Sequence, residues 1–166
     1  MRCVSVARAW LPAPAPTSVT DLPDWFEEAL GDRFTIEGPR GAGPDVELSS
    51  VIPGFVGSCP CDFVIRKKID RAVIAVGFAR YDSTRGGAQS DDRTGGNSSK
   101  VYLIKEYCSP LKKHLRIIFL SDGPGLAHND TWREAVSLDD TWEGNVRVTT
   151  LKLAKDRVSE DWLSGT

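Results

Sequence analysis

Nothing in this sequence is both long and apolar. No stretch approaches the roughly 18 consecutive apolar residues of a membrane-spanning helix, so no membrane partner is expected. The opening residues, MRCVSVARAW, lack the continuous apolar segment of a secretory signal, and the expected location is cytoplasmic. Histidine is scarce: His114 and His128 are the only two. Neither sits in a recognisable nucleophile context, which leaves Ser–His–Asp catalysis without support. Cysteine is sparse as well. Cys3, Cys59, Cys61 and Cys108 supply one CxC pair, Cys59-Pro60-Cys61, and no second pair at zinc-finger spacing. The ordinary reading is reduced thiols in a cytosolic protein. A large charge of one sign is missing too. The formal net charge is −2, which by itself does not point to nucleic acid.

What is present is a globular composition. The 166 residues, 40% hydrophobic and 27% charged, fit one domain. Five Trp and six Phe, with regular apolar runs, exclude global disorder. The charge is unevenly placed. Residues 1–65 carry a net −5, residues 66–116 a net +7 and residues 117–166 a net −4. A basic middle between acidic flanks is a candidate polyanion-binding face, although a mixed surface produces the same pattern by chance.

The chain divides into a flexible Pro-rich N-terminal arm, 1–23, and a single α/β domain, 24–166. Trp25, Phe26, Ala29 and Leu30 predict a short helix over 22–30, capped by Asp21 or Asp24 and ended by Gly31. A short strand is expected at 33–37, a Gly/Pro loop at 37–45, and 46–58 is ambiguous. Asp62–Arg66 and Arg71–Tyr81 form a predicted hairpin whose second strand, RAVIAVGFARY, is apolar enough to be buried on both faces. A polar, Gly-rich loop is expected over 82–100 and a helix over 101–113. LRIIFL (115–120) is a second buried strand, 130–139 a helix, 145–153 a third strand and 155–163 a last helix. The result is one mixed sheet with helices on both faces.

Acidic residues dominate the candidate chemistry. Asp62 opens one strand of the hairpin and Asp82 closes the other, and the turn places Asp62 opposite roughly residues 75–77. Paired carboxylates suit Mg²⁺, a hard cation that prefers oxygen ligands. It polarises phosphate and activates water. Both positions are also ordinary turn sites for aspartate. The loop that follows combines Arg80, Arg85 and Arg93 with Asp82, Asp91, Asp92, Gln89 and two Gly-Gly pairs. Glycines let backbone amides approach phosphate. Arg forks match phosphate or guanine edges, and Gln reads adenine. SDGPG (121–125) follows a buried strand, where a plain turn is the preferred reading.

FARYDSTRGGAQSDDRTGGN (78–97), LRIIFLSDGPG (115–125) and VTTLKLAKDRVSEDWL (148–163) resemble a group of type II restriction endonucleases. The element order is similar to the core of the PD-(D/E)xK nuclease superfamily, over residues from about 55 to 163. The resemblance implies a three-layer restriction-endonuclease-like core, Mg²⁺ as cofactor, double-stranded DNA as partner and a homodimer where the DNA site is palindromic. It assigns catalysis to Asp62, Asp82, Arg80 and Gln89, and metal binding to Asp62, Asp82 and Asp91, with Asp92 an alternative second acid. DNA contacts fall to Arg85, Arg93, Asp92, Lys100, Lys67 and Lys68. Cys61-Asp62 stands where the family has Pro-Asp. Pro44-Asp45 is a literal Pro-Asp, but lies in the Gly/Pro loop, and Asp62 is preferred. The family's acid-x-Lys is missing: its register falls on Gly77-Phe78-Ala79. Either acid and base have migrated, with Asp82 and Arg80 or Gln89 substituting, or the site is damaged. An inactive DNA-binding relative and a non-DNA interaction module are the alternatives.

Overall fold

RAVIAVGFARY shows no polar alternation, so a strand built from it must be covered on both faces. In the computed structural model, which describes residues 21–39, 43–81, 91–111, 113–123, 126 and 129–165, most of that run is β5 (Val73–Tyr81), the middle of a five-stranded sheet. β1 (Phe34–Glu37) lies at one edge, followed in space by β4 (Phe63–Lys67), β5, β6 (Arg116–Asp122) and β7 (Val146–Thr149). β1, β4 and β5 pair antiparallel in turn, whereas β6 and β7 continue parallel to β5. A separate ribbon pairs β2 (Val46–Glu47) with β3 (Pro60–Cys61).

Side chains alternate across the sheet. Phe63, Ile65, Ile118 and Leu120 meet Leu22, Trp25 and Phe26 of α1 (Leu22–Leu30), Leu151 and Ala154 of α6 (Leu151–Arg157) and Leu163 of α7 (Glu160–Ser164). Val64, Val76, Phe78, Ile117 and Phe119 face the other way. There they meet Leu48 of α2 (Leu48–Val51), Ile104 and Cys108 of α3 (Asp91–Cys108), and Ala135 of α4 (Asn129–Val136). Each fully buried side chain of this kind contributes roughly 1.5–3 kcal/mol, which is why helices cover both faces. The expected α/β class and mixed sheet flanked by helices are thus observed.

Three boundaries differ from expectation. The helix predicted at 101–113 begins ten residues earlier, at Asp91, and ends at Cys108, followed by a tight turn at Ser109–Leu111. Gly95 and Gly96 each cost a helix interior about 1 kcal/mol, so composition argued for a loop. The buried C-terminal half, with Ile104 and Cys108, anchors the helix instead. The strand predicted at 145–153 stops at Thr149, because Thr150 caps α6 by accepting the Leu153 amide. The single last helix is therefore two, α6 and α7, the second capped by Ser159. The ambiguous 46–58 segment holds β2 and α2, and one short turn, α5 (Thr141–Gly144), precedes β7.

The hairpin register is Phe63↔Gly77, so Asp62 lies beside Gly77–Ala79, two residues further along than the turn arithmetic gives. One residue of that shift comes from a bulge between Ile65 and Arg66, which leaves Ile74 unpaired. Gly77 is fully enclosed, and a Cβ there would overlap the Phe63 ring directly opposite. The ring fills the space that the glycine leaves. Gly77→Ala is therefore expected to cost about 1–3 kcal/mol by overpacking, read as a lower urea midpoint. Phe63→Leu in the same chain should recover part of that loss. Equal midpoints for the wild type and Gly77→Ala would remove the packing argument.

Candidate functional site

The start of β4, the end of β5 and one face of α3 converge at one end of the sheet. Asp62 immediately precedes β4. Its amide donates to the Gly77 carbonyl at 2.9 Å, and its Oδ2 accepts the Ala79 amide at 2.8 Å. The carboxylate is thus tied to β5 by backbone alone. Partial burial pushes its pKa up, the Ala79 amide opposes that rise, the charge of Asp45 adds to it and Lys100 opposes it.

Asp45 reaches this place through the ribbon. The pairs Glu47↔Pro60 and Val46↔Cys61, carried one step further, set Asp45 opposite Asp62. Directly opposed residues in an antiparallel pair have Cβ atoms about 4.5–5.5 Å apart, and like charges there repel. The two aspartates that the sequence presented as rival choices therefore share one site. Asp45 is exposed and Asp62 half-buried.

Lys100 arrives from α3. Residues 100, 104 and 108 form one stripe at i, i+4 and i+8, and Ile104 and Cys108 of that stripe are buried. The stripe directs Lys100 inward, with Nζ 4.2 Å from the centre of the Phe78 ring, which stacks on Phe119 at 5.3 Å. A cation over an aromatic face is held by the ring quadrupole. Phe78 and Arg80 share a strand face, so Arg80 lies on the Lys100 side of the sheet. The outcome is two carboxylates and one ammonium around the Asp62–Ala79 bond. Among the described residues no group of three or more His, Cys, Asp or Glu is placed to hold a metal. Two carboxylates still suit Mg²⁺, which binds through one or two of them plus substrate phosphates and water.

The remaining candidates divide by position. Lys67 ends β4, five residues from Asp62, about 17 Å away at strand rise. Lys68 follows it and donates its amide to the Arg33 carbonyl. Both therefore lie at the far end of the sheet, and the structure does not bring them to Asp62. Asp91, Asp92 and Arg93 belong to the first turn of α3. Asp82, Arg85 and Gln89 lie outside the described residues. Asp122 ends β6 beside Tyr81, but its carboxylate is engaged by the amides of Gly123 at 2.7 Å and Leu151 at 3.3 Å, so it ties β6 to α6. Cys59 and Cys61 are buried. Burial first, then the neighbouring Cys59, Asp62, Asp45 and Glu47, pushes the Cys61 thiol up to about 12. Such a thiol stays protonated at neutral pH and is a poor nucleophile.

No protein-family model, curated protein or solved structure matches this chain.

The raised pKa of Asp62 has a stability consequence of definite sign. A carboxyl whose folded pKa is raised stabilises the fold only while protonated, and that contribution is lost as pH rises through the folded pKa. Asp62→Asn should therefore raise the urea midpoint at pH 7, since an amide oxygen still accepts the Ala79 N–H. The gain should fade below the ordinary aspartate value of 3.8, where the wild type is protonated in both states. A lower midpoint at pH 7 would contradict burial as the dominant cause.

Proposed function

We propose that this protein is a Mg²⁺-dependent nuclease of the type II restriction endonuclease kind, hydrolysing phosphodiester bonds in double-stranded DNA. The observation that carries the reading is the backbone-anchored, half-buried Asp62 at the start of β4, with Asp45 opposite and Lys100 above Phe78. The element order is compatible with it: α1, the antiparallel strands β1, β4 and β5, a crossover helix and the parallel strand β6, with the β2–β3 ribbon and α2 inserted between β1 and β4.

In this reading Asp62 and Asp45 would hold Mg²⁺, with Asp82, Asp91 or Asp92 as further acids. The ion, when bound, supplies phosphate polarisation and water activation. Ala79 fixes the orientation of the Asp62 carboxylate. Lys100 replaces the missing strand lysine, holding a positive charge where the scissile phosphate gains negative charge. The replacement has a packing reason. Position 77 is closed by the Phe63 ring, so no acid fits there, and the polar groups come from the ribbon and the helix instead. Arg80, Arg85 and Arg93, with Gln89, supply phosphate and base contacts, and a homodimer reads a palindromic site.

The test is plasmid cleavage in Mg²⁺ by the full chain. Wild type should cut, and Asp62→Ala and Lys100→Met should each lower the rate about 10²-fold or more. Equal cutting by wild type and Asp62→Ala would overturn the site. The closed position 77 also favours a second reading, a DNA-binding relative without activity. That reading expects duplex binding with a steep salt slope and no cleavage in Mg²⁺ or Mn²⁺.

A further inference from the structure

The sheet end opposite Asp62 carries its own cluster. β4 finishes there at Lys67, and β6 begins at Arg116 after His114. A cavity of about 360 Å³ opens between them, lined by Lys67, His114, Arg116, Asn145 and Glu143, with Ile74 and Leu163 as apolar wall. At about 30 Å³ per water, that is room for about twelve waters, far more than a free phosphate fills.

Arg116 is fixed rather than free. Its Nε donates to the Trp162 carbonyl at 2.9 Å, its Nη1 to Asn145 Oδ1, and its guanidinium lies 5.4 Å from the centre of the Trp162 ring. Asn145 is 1% exposed and donates its own amide to the Trp142 carbonyl, so the floor of the cavity is rigid. Arg147 lies against the same indole, yet its charge is met by Asp140 at 2.6 Å. The basic neighbours Arg66 and Arg71 are likewise met by Glu37. Among the described residues no carboxylate lies within ion-pair distance of Arg116, Lys67 or His114. Lys67, Arg116 and the His114 ring thus line one cavity without a described carboxylate paired to them, a donor set suited to a dianion.

Glu143 gives the second half of the argument. It stands at the rim, presented by a turn in which Asp140, Trp142 and Glu143 all take positive φ (62°, 49° and 58°). Backbone held in this region is costly for non-glycine residues. A rim carboxylate repels a bare dianion but accepts hydrogen bonds from vicinal hydroxyls set beside one. Ile74 and Leu163, 9% and 3% exposed, belong to the core and close the apolar side of the cavity. We infer that this cavity binds a ribose monophosphate group such as AMP presents, its phosphate on Lys67, His114 and Arg116 and its ribose hydroxyls on Glu143.

Isothermal titration calorimetry of the full chain at pH 7, without divalent cation, tests this with three probes: AMP, adenosine and inorganic phosphate. AMP should bind saturably, phosphate at least tenfold more weakly, and adenosine without measurable heat. Lys67→Glu and, as a milder change, His114→Ala should each weaken AMP at least tenfold and threefold respectively. Asp62→Ala should leave AMP affinity unchanged, so failure of the nuclease reading and failure of this one are separable. No saturable binding of AMP would overturn the proposal. So would adenosine binding as tightly as AMP, phosphate binding as tightly as AMP, indifference to Lys67→Glu, or loss on Asp62→Ala.

Discussion

Everything in this fold is fixed by β5. It is hydrogen-bonded on both edges, antiparallel to β4 and parallel to β6, and covered on both faces. A strand so placed has no free backbone group and no free surface over most of its length. Its only latitude is at its ends. The amide of Ala79, near the C-terminal end, is turned to a side chain, Asp62, instead of to a strand. The candidate site exists because β4 begins one residue after Asp62, where the ladder gives way and a carboxylate takes its place.

The same constraint explains the composition of the site. A strand buried on both faces tolerates an ionised side chain poorly, since an unpaired charge in a low-dielectric interior carries a large desolvation cost. Gly77 shows the limit, because the Phe63 ring occupies its face completely. Apart from Arg80 near the strand's end, polar groups must then come from elements that cross that end. The β2–β3 ribbon brings Asp45. α3 brings Lys100, whose ammonium is met by the Phe78 ring on the same surface. Burial raises the Asp62 pKa while Lys100 and the Ala79 amide counter it, so ionisation at this site depends on neighbours from three separate segments.

How much of this was legible depended on whether the signal was periodic or relational. RAVIAVGFARY and LRIIFL declare buried strands through their unbroken apolar character, and the 22–30 stripe declares α1. Asp62 could be selected from the sequence because it opens a hairpin strand. Asp45 could not be joined to it, because β2 and β3 are two residues each, too short to carry alternation. The resemblance gives Lys100 a DNA contact, and a helix read as starting at 101 hides its inward direction. The stripe 100, 104, 108 was present in the sequence, but polar residues and the Gly95-Gly96 pair before it masked the helix to which it belongs. Thr150 was the overlooked stop signal: a β-branched residue inside an alternating run reads as strand until its hydroxyl caps a helix.

The near-neutral net charge acquires a spatial meaning from this arrangement. The basic middle of the sequence is not one surface. Lys100 and Arg80 lie toward the Asp62 end, whereas Lys67, Lys68, Lys113 and Arg116 lie toward the other, because the β4–β5 turn and the return from α3 into β6 fall together at the end where β5 begins. At the first end the positive charges face carboxylates, Asp62 and Asp45, so the local field is mixed, and metal binding there would tip it positive. At the second end Glu37 already neutralises Arg66 and Arg71, and what is left over is the cluster around Arg116. A charge excess counted along the chain is therefore a poor guide to a binding face. What decides is how the cations are placed against the local carboxylates, and Lys67 and Arg116, which line one cavity at the end of the sheet away from Asp62, have no described carboxylate paired to them.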